Sequence, residues 1–360
     1  MEAVNQRPLV SVILAVFNEA GCIKKCMTSL LEQDTPSFDL EILAVDGGST
    51  DGTRDYLKEI ASIDSRVRVL HNDQRSTPFA FNLGLREAKG EFVCIFGSHS
   101  VYAKNYISVC LNELLARGVV GCGGRVLTQP STNTLPARLV ALALGHPFGS
   151  SRKSIRTRSE GFSTAAFMVL RKSPLLEVGG YSEKLRRNQD NDTYERLEAK
   201  GHKFFCTWKT QCIYYPKSSI REMLRYGFGM GFWVVISLEQ NPSSMAVRHF
   251  VPFLFVICIV VSALFGLAGQ FFRFPFWEFA WVPLAAVIAL HITAGLIAGV
   301  QTAIQKRFVG ALALPLVFFA FHFSYGLGTL WAFLSRARLG RSVPQKLGSR
   351  NALGNTATSE

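Results

Sequence analysis

Neither a Cys-x-x-Cys pair nor a cysteine–histidine cluster at zinc spacing occurs in these 360 residues, which excludes a zinc-ribbon or dithiol redox protein. The eight cysteines stand mostly among apolar neighbours and read as small core residues of a reducing compartment. Charge is scarce at 18%, and acid scarcer than base, with 26 Asp and Glu against 39 Lys and Arg, a formal +13. Acid nearly vanishes towards the C-terminus: residues 249–360 carry 8 basic and 2 acidic side chains, whereas residues 1–248 carry 31 and 24. No recognised nucleic-acid module accompanies the excess of base, so nucleic acid is not expected as a partner. What the chain has in plenty is apolar surface, 48% hydrophobic residues and a mean hydropathy of +0.20, too much for a wholly soluble or a disordered chain.

The first apolar run, 9–17, is broken by Asn18-Glu19 and lacks a small-residue cleavage site after it. It therefore reads as a buried strand, and residues 1–248 are expected to stay in the cytoplasm. Residues 250–269, 279–300 and 309–334 are different, because each is long enough at about 1.5 Å per residue to cross a hydrocarbon core of about 30 Å. Three crossings from a cytoplasmic domain place the tail outside, yet Arg336, Arg338, Arg341, Lys346 and Arg350 belong inside by the positive-inside tendency. One stretch lying in the interface would reconcile the two, and so would placing the aromatic-rich segment 223–238, which contains Arg225, in the headgroup plane.

The first 215 residues alternate short β-rich runs (10–17, 40–45, 67–70, 92–96) with helical patterns at 20–33 and 51–60, which predicts an α/β fold with a mainly parallel sheet. In such sheets ligands bind outside the carboxyl ends of the strands. Two loops there carry suitable chemistry. The first is Ala15-Val16-Phe17-Asn18-Glu19; the second runs from Asp46 through Gly47-Gly48-Ser49-Thr50-Asp51-Gly52 to Thr53. Asp46 follows its strand directly and can accept hydrogen bonds from a base or ribose, while Thr50 or Asp51 can cap the next helix. By itself the second loop is equally well a turn and a cap.

Taken in order, Val10-Ser11-Val12-Ile13, Phe17-Asn18-Glu19, the loop at 45–53, Asn82-Leu83-Gly84 with Gly90-Glu91, Val178-Gly179-Gly180-Tyr181, Asn188-Gln189-Asp190, Tyr194-Glu195-Arg196-Leu197 and Gly201 resemble the motifs of inverting glycosyltransferases of family two. The resemblance covers about residues 8–215. Within that family it is closest to membrane-bound enzymes of succinoglycan-type exopolysaccharide synthesis, where a His-x-x-Tyr-Gly-Leu-Gly run is expected near the C-terminus; residues 322–328 fit.

The resemblance implies a GT-A nucleotide-sugar-binding domain over 1–217, an amphipathic connector at 218–248, about three transmembrane helices within 249–335 and a flexible basic tail at 336–360. It implies that Ala15, Val16, Phe17, Asn18, Glu19 and Asp46 hold the nucleoside of the donor, with Phe17 lining the base pocket. Arg75 would meet diphosphate oxygens, with Ser98 alongside, or is equally well a solvated surface arginine. Asp190 would be the general base that deprotonates the acceptor hydroxyl, the single carboxylate that inversion requires, with Asn188, Gln189 and Trp233 on the acceptor side. The bland reading of Asp190 or Asp192 is a helix cap. Most relatives carry Asp-x-Asp after the fourth strand; here the segment is Gly97-Ser98-His99-Ser100, so the first acid is missing and His99 is the candidate ligand for a divalent ion, Mn2+ or Mg2+. The basic run 151–158 suits a polyprenyl diphosphate or anionic headgroups, or is a solvated charge run. His291 and His322, inside the apolar stretches, are functional candidates or neutral hydrogen-bonding partners of a neighbouring helix.

The expected function is transfer of one sugar from a nucleotide-sugar donor to a lipid-linked saccharide at the inner (plasma) membrane, by a multi-pass protein with its catalytic domain in the cytoplasm, within a polysaccharide assembly complex. The alternatives are a processive polysaccharide synthase, disfavoured because 229–233 reads Gly-Met-Gly-Phe-Trp rather than Gln-x-x-Arg-Trp, and a membrane scaffold that has lost metal binding.

Overall fold

The computed structural model describes residues 7–150, 154, 157, 159–273, 275 and 277–339; most of the basic run at 151–158, and the tail from 340, lie outside them. The elements follow as β1 (Leu9–Val16), α1 (Ile23–Leu31), β2 (Asp39–Asp46), α2 (Thr53–Ile63), β3 (Val67–His71), α3 (Thr77–Glu87), β4 (Phe92–Gly97), β5 (Ser100–Tyr102), α4 (Tyr106–Arg117), β6 (Gly121–Thr128), α5 (Leu135–Gly145) and α6 (Pro147–Ser150). Then come β7 (Gly161–Phe162), β8 (Val169–Arg171), α7 (Lys172–Glu177), α8 (Gln189–Ala199), β9 (Phe204–Tyr214) and four long helices, α9 (Ile220–Gln240), α10 (Val251–Phe272), α11 (Val282–Lys306) and α12 (Leu314–Leu339).

β1 is a near-continuous apolar run because both its faces are covered. Its one buried hydroxyl, Ser11, donates to Glu41 at 2.6 Å and accepts from the Gly90 amide, so no polar group is stranded. α1 buries Ile23, Cys26, Met27 and Leu30, one stripe of its surface, against that sheet. The strand order is β3-β2-β1-β4-β8-β6-β9-β5, with β7 paired to β9. The parallel character belongs to the β3-β2-β1-β4 half. β8 runs antiparallel to both β4 and β6, which makes the other half mixed. The chain's two candidate loops thus leave neighbouring parallel strands, β1 and β2, at the same edge.

The stretches Val247–Phe272, Trp277–Lys306 and Val309–Arg336 are long and apolar enough to cross a membrane, with mean hydropathies of 2.8, 2.0 and 1.6. α12 is the most covered of them. Leu139, Val140, Ala143 and Leu144 of α5 share a core with Met223 of α9, Ala298 of α11 and Leu314, Val317, Phe318 and Phe321 of α12, so the sheet domain and the apolar helices are packed together.

The connector segment lies along α12. Ser324 donates to the Leu224 carbonyl at 2.8 Å and Thr329 to that of Gly231 at 3.1 Å. Glycines permit this approach: a Cβ on Gly231 would collide with the Tyr325 carbonyl, and one on Gly328 with that of Phe228. Arg336 pairs with Glu239 at 2.8 Å where the two helices end. His291 of α11 and His322 of α12 meet ring nitrogen to ring nitrogen at 3.0 Å, the helix-to-helix hydrogen bond that the sequence allowed.

Candidate functional site

The two loops are laced to each other. Asn18 adopts φ 53°, donates its amide to Ser49 Oγ and accepts from the Thr50 amide, both at 2.9 Å. The Glu19 amide donates to Thr53 Oγ1 at 2.9 Å and that of Ala20 to Asp51 at 3.0 Å. Asp51 also accepts from the Thr53 amide and hydroxyl at the start of α2, although the N-cap position itself is Gly52 and not Thr50 or Asp51. Asp46 is fully buried and turned into its own loop. It accepts from the Gly48 and Ser49 amides and the Ser49 hydroxyl, and faces Arg54 Nε at 3.1 Å. Gly48 supplies the left-handed φ of +84° that lets those amides turn back onto the carboxylate. Asp46 thereby shapes the loop that forms one wall of the site.

A cleft of about 130 Å³ opens between the loops, lined by Ala15, Val16, Phe17, Glu19, Gly47, Asn72 and Arg75 among others. Phe17 packs over Gly47, where a Cβ would come within 3.2 Å of its ring. Arg75 is exposed, holds φ 48° and lays its guanidinium beside Gly48. Five of the residues assigned to the nucleoside and diphosphate from sequence (Ala15, Val16, Phe17, Glu19, Arg75) therefore share one cleft. A larger depression, about 590 Å³, lies between α3 and the segment 176–184 and contains none of the candidate residues.

Beyond β4, Ser98 is buried and His99 half-buried in the turn into β5. His99 Nε2 lies 2.9 Å from Glu19 Oε1, Cys22 Sγ lies 3.0 Å from Glu19 Oε2, and Cys22 Sγ stands 3.4 Å from His99 Nδ1. One ligand atom from each of Glu19, Cys22 and His99 falls within 4.8 Å of the other two. Burial opposes ionisation of Glu19, but the hydrogen bond and charge of His99, the Cys22 hydrogen bond and the Lys217 charge together outweigh it and hold the carboxyl below its ordinary value. Burial first, then the Glu19 hydrogen bond, pushes the Cys22 thiol up to about 12, so without a cation beside it the sulfur is a protonated, unreactive thiol. A carboxylate, an imidazole and a thiol together suit manganese or zinc better than magnesium. The donor set fits a divalent ion.

Gly97, where the family resemblance leads one to expect the first acid, has a packing reason. A Cβ there would stand 2.9 Å from Cε1 of Phe167, whose ring occupies the space an aspartate would need. Sequence reasoning missed Cys22, grouped with the core cysteines; its place on the loop after β1, at the carboxyl edge, was the available signal.

The acceptor-side candidates form a second group. α8 begins at Gln189, so Asp190 sits in its first turn. Asn188 makes the turn into the helix with φ 60° and donates to Ser237 of α9 at 3.2 Å; Ser237 in turn donates to the Trp233 carbonyl at 2.7 Å. Asp192 accepts from Arg196 and from Asn241 just past α9. Asp190 stands half-buried, accepts from the Asn191 amide at 2.9 Å, and raises the Tyr194 phenol behind the larger effect of its burial. Trp233 is half-buried on α9 and packs edge-on to Phe232.

Residues 11–179 match the family described as Glycosyl transferase family 2. The dolichyl N-acetyl-alpha-D-glucosaminyl phosphate 3-beta-D-2,3-diacetamido-2,3-dideoxy-beta-D-glucuronosyltransferase of Methanococcus voltae is 25% identical over 332 residues, 88% of this chain and 95% of that protein. The succinoglycan biosynthesis protein ExoA of Rhizobium meliloti is 26% identical over 262 residues, 72% of this chain and 78% of its own. Among solved structures, the mannosyltransferase PcManGT from Pyrobaculum calidifontis in complex with GDP-Man and Mn2+ superposes with a TM-score of 0.54 at 21% identity, covering 90% of this chain and 88% of that one. The chain therefore carries a family 2 glycosyltransferase domain on a GT-A-like sheet, and it is a glycosyltransferase.

Proposed function

We propose that this glycosyltransferase moves one sugar, with inversion, from a nucleotide-sugar donor to a lipid-linked saccharide at the cytoplasmic face of the inner (plasma) membrane, as a step in cell-surface polysaccharide assembly. The observation that carries the reading is the cleft between the two laced loops, which runs up to the Glu19–His99 pair at the carboxyl edge of the parallel strands. The base and ribose lie against Phe17 and the 15–19 backbone, and Arg75 reaches the diphosphate from the opposite wall. Glu19, Cys22 and His99 would hold a divalent ion, whose positive charge offsets that of the departing nucleoside diphosphate. Asp190 takes the acceptor proton, and Asn188, Gln189 and Trp233 line the acceptor side, next to the helix that joins the domain to the membrane. The Methanococcus relative is named for a dolichyl-phosphate-linked acceptor, which supports a lipid-linked saccharide here, and the Rhizobium one for succinoglycan biosynthesis, which supports polysaccharide assembly.

The test is a radiolabelled donor screen on membranes with lipid extraction of the product. Asp190→Asn should retain donor binding and lose transfer by the 10²-fold or more that general-base catalysis contributes. Full transfer by that variant removes Asp190 from its role; absence of donor binding and transfer in the parent chain removes the reading itself.

A further inference from the structure

We propose that only the α10–α11 hairpin crosses the bilayer, and that α12 lies across the base of that hairpin in the interface on the catalytic side, so that the chain's tail returns to the catalytic side. The inference rests on the membrane reading above and fixes its topology.

α10 and α11 run side by side and antiparallel: Phe255 stacks on His291 with centroids 4.5 Å apart, and Gly266 receives the Trp281 ring near the other end. At about 1.5 Å per residue, the 22 residues of α10 cover about 33 Å, one hydrocarbon core. Past the first turns the hairpin packs chiefly on itself, burying Ser262, Gly266 and Gly269 while Val261, Leu264, Phe271 and Leu290 face outward.

The first half of α12 runs antiparallel beside α11, its partners passing from Gly299 to His291; beyond His322 it turns away from the pair and crosses α10. Phe319 meets Phe255, Gly326 sits against the Pro252 carbonyl and Val256, and Phe333 meets Phe253. From Phe319 to Phe333 the helix advances about 21 Å, yet its partners on α10 stay within 252–256, about 6 Å of that helix. The two helices cross, at the level of the first turn of α10. On α11 the contacts run from Gly299 and Gly295, which pack on Pro315, only as far up as His291, which meets Phe319 and His322 at the level of Phe255 on α10.

The surfaces fit this placement. One side of α12 spends its polar groups on α9 and α11, through His322, Ser324, Thr329 and Arg336. Leu312, just before α12, and Leu316 near its start are exposed, as are Trp331, Phe333 and Leu334 near its end, so both ends of the helix offer apolar side chains, a tryptophan among them, such as an interfacial helix presents to lipid. Charge gives the direction. The base of the hairpin carries Arg248, Lys306, Arg307 and Arg336, whereas the described part of the far turn carries Arg273 and Glu278. By the positive-inside tendency that base faces the cytoplasm, and the arginines of the tail no longer conflict with it.

The test uses the full chain in a Cys258→Ser background, with Ile63→Cys marking the catalytic domain, Glu278→Cys the far turn and Ser349→Cys the tail. Each variant is treated with a membrane-impermeant maleimide in sealed inverted vesicles, before and after detergent, with the background chain as blank. Ile63→Cys and Ser349→Cys should react on one side, and Glu278→Cys should stay unlabelled until the membrane is opened. A tail shielded together with Glu278→Cys means that α12 spans, and overturns the proposal. Labelling of all three in sealed vesicles means that the hairpin does not cross either, which overturns the membrane reading as well.

Discussion

Restoring an acid at position 97 should damage this protein unless Phe167 is also changed. In Gly97→Asp the new Cβ stands 2.9 Å from Phe167 Cε1, closer than side-chain carbons approach, and the carboxylate beyond it must enter the space of the ring. Phe167 cannot swing aside freely: it holds φ 51°, packs edge-on to Tyr102, and its carbonyl accepts from the Tyr106 hydroxyl at 3.0 Å. Overpacking of this kind costs about 1–3 kcal/mol. At about 2–4 °C per kcal/mol for a domain of this size, the midpoint of unfolding should fall by about 2–12 °C. Phe167→Ala will destabilise on its own account by opening a void. The informative quantity is the coupling: if the ring is the obstacle, the double variant is more stable than the sum of the single losses by about the same 1–3 kcal/mol. Thermal unfolding of the four purified chains in detergent measures it. Additive losses, or a Gly97→Asp chain as stable as its parent, would refute the packing explanation for the missing acid.

Cys22→Ser should weaken binding of Co2+ by the nucleotide-free protein and abolish the sulfur-to-cobalt charge-transfer absorption that the parent shows; a cobalt spectrum without a sulfur band in the parent takes Cys22 out of the donor set. Removing metal with a chelator should lower transfer, and Mn2+ should restore it better than Mg2+, because imidazole and thiolate are poor magnesium ligands. Glu113 is held below its ordinary value of 4.5, first by the hydrogen bond from Lys209 and then, against the cost of burial, by Arg117. A depressed folded value means stability that is present above the unfolded value and lost as pH falls through the folded one. Glu113→Gln should therefore flatten the acid side of the stability curve below about pH 4.5. Both basic partners face solvent, so the loss near neutrality should stay about 1 kcal/mol; an unchanged acid limb contradicts the assignment.

The parallel half of the sheet was legible because strands buried on both faces spell themselves as near-continuous apolar runs, as β1 does and β2 does apart from Glu41. The apolar helices were legible for the same kind of reason, continuous hydropathy over a fixed length. What escaped depends on partners far along the chain. The start of α8 is polar, and the Asn188–Ser237 bond that accompanies it joins residues on different elements. Cys22 gained its meaning from His99, which only the pairing of β1 with β4 brings alongside. Asp46 was correctly placed at the carboxyl edge, but the direction of its carboxylate depended on Ser49 and Arg54. The lie of α12 across α10 was beyond any hydropathy window, since a window reports how greasy a helix is and not what it leans against.

The shared core of α5, α9, α11 and α12 has a practical corollary for anyone wishing to work with a soluble fragment. Severing the chain after residue 217 would strip the cover from Leu139, Val140, Ala143 and Leu144, and would remove the Ser237 and Asn241 groups that steady Asn188 and Asp192. Such a fragment would keep its sheet and both donor loops, yet present a raw greasy flank and a loosened acceptor shelf. It should self-associate, and hydrolyse or bind donor more readily than it transfers sugar.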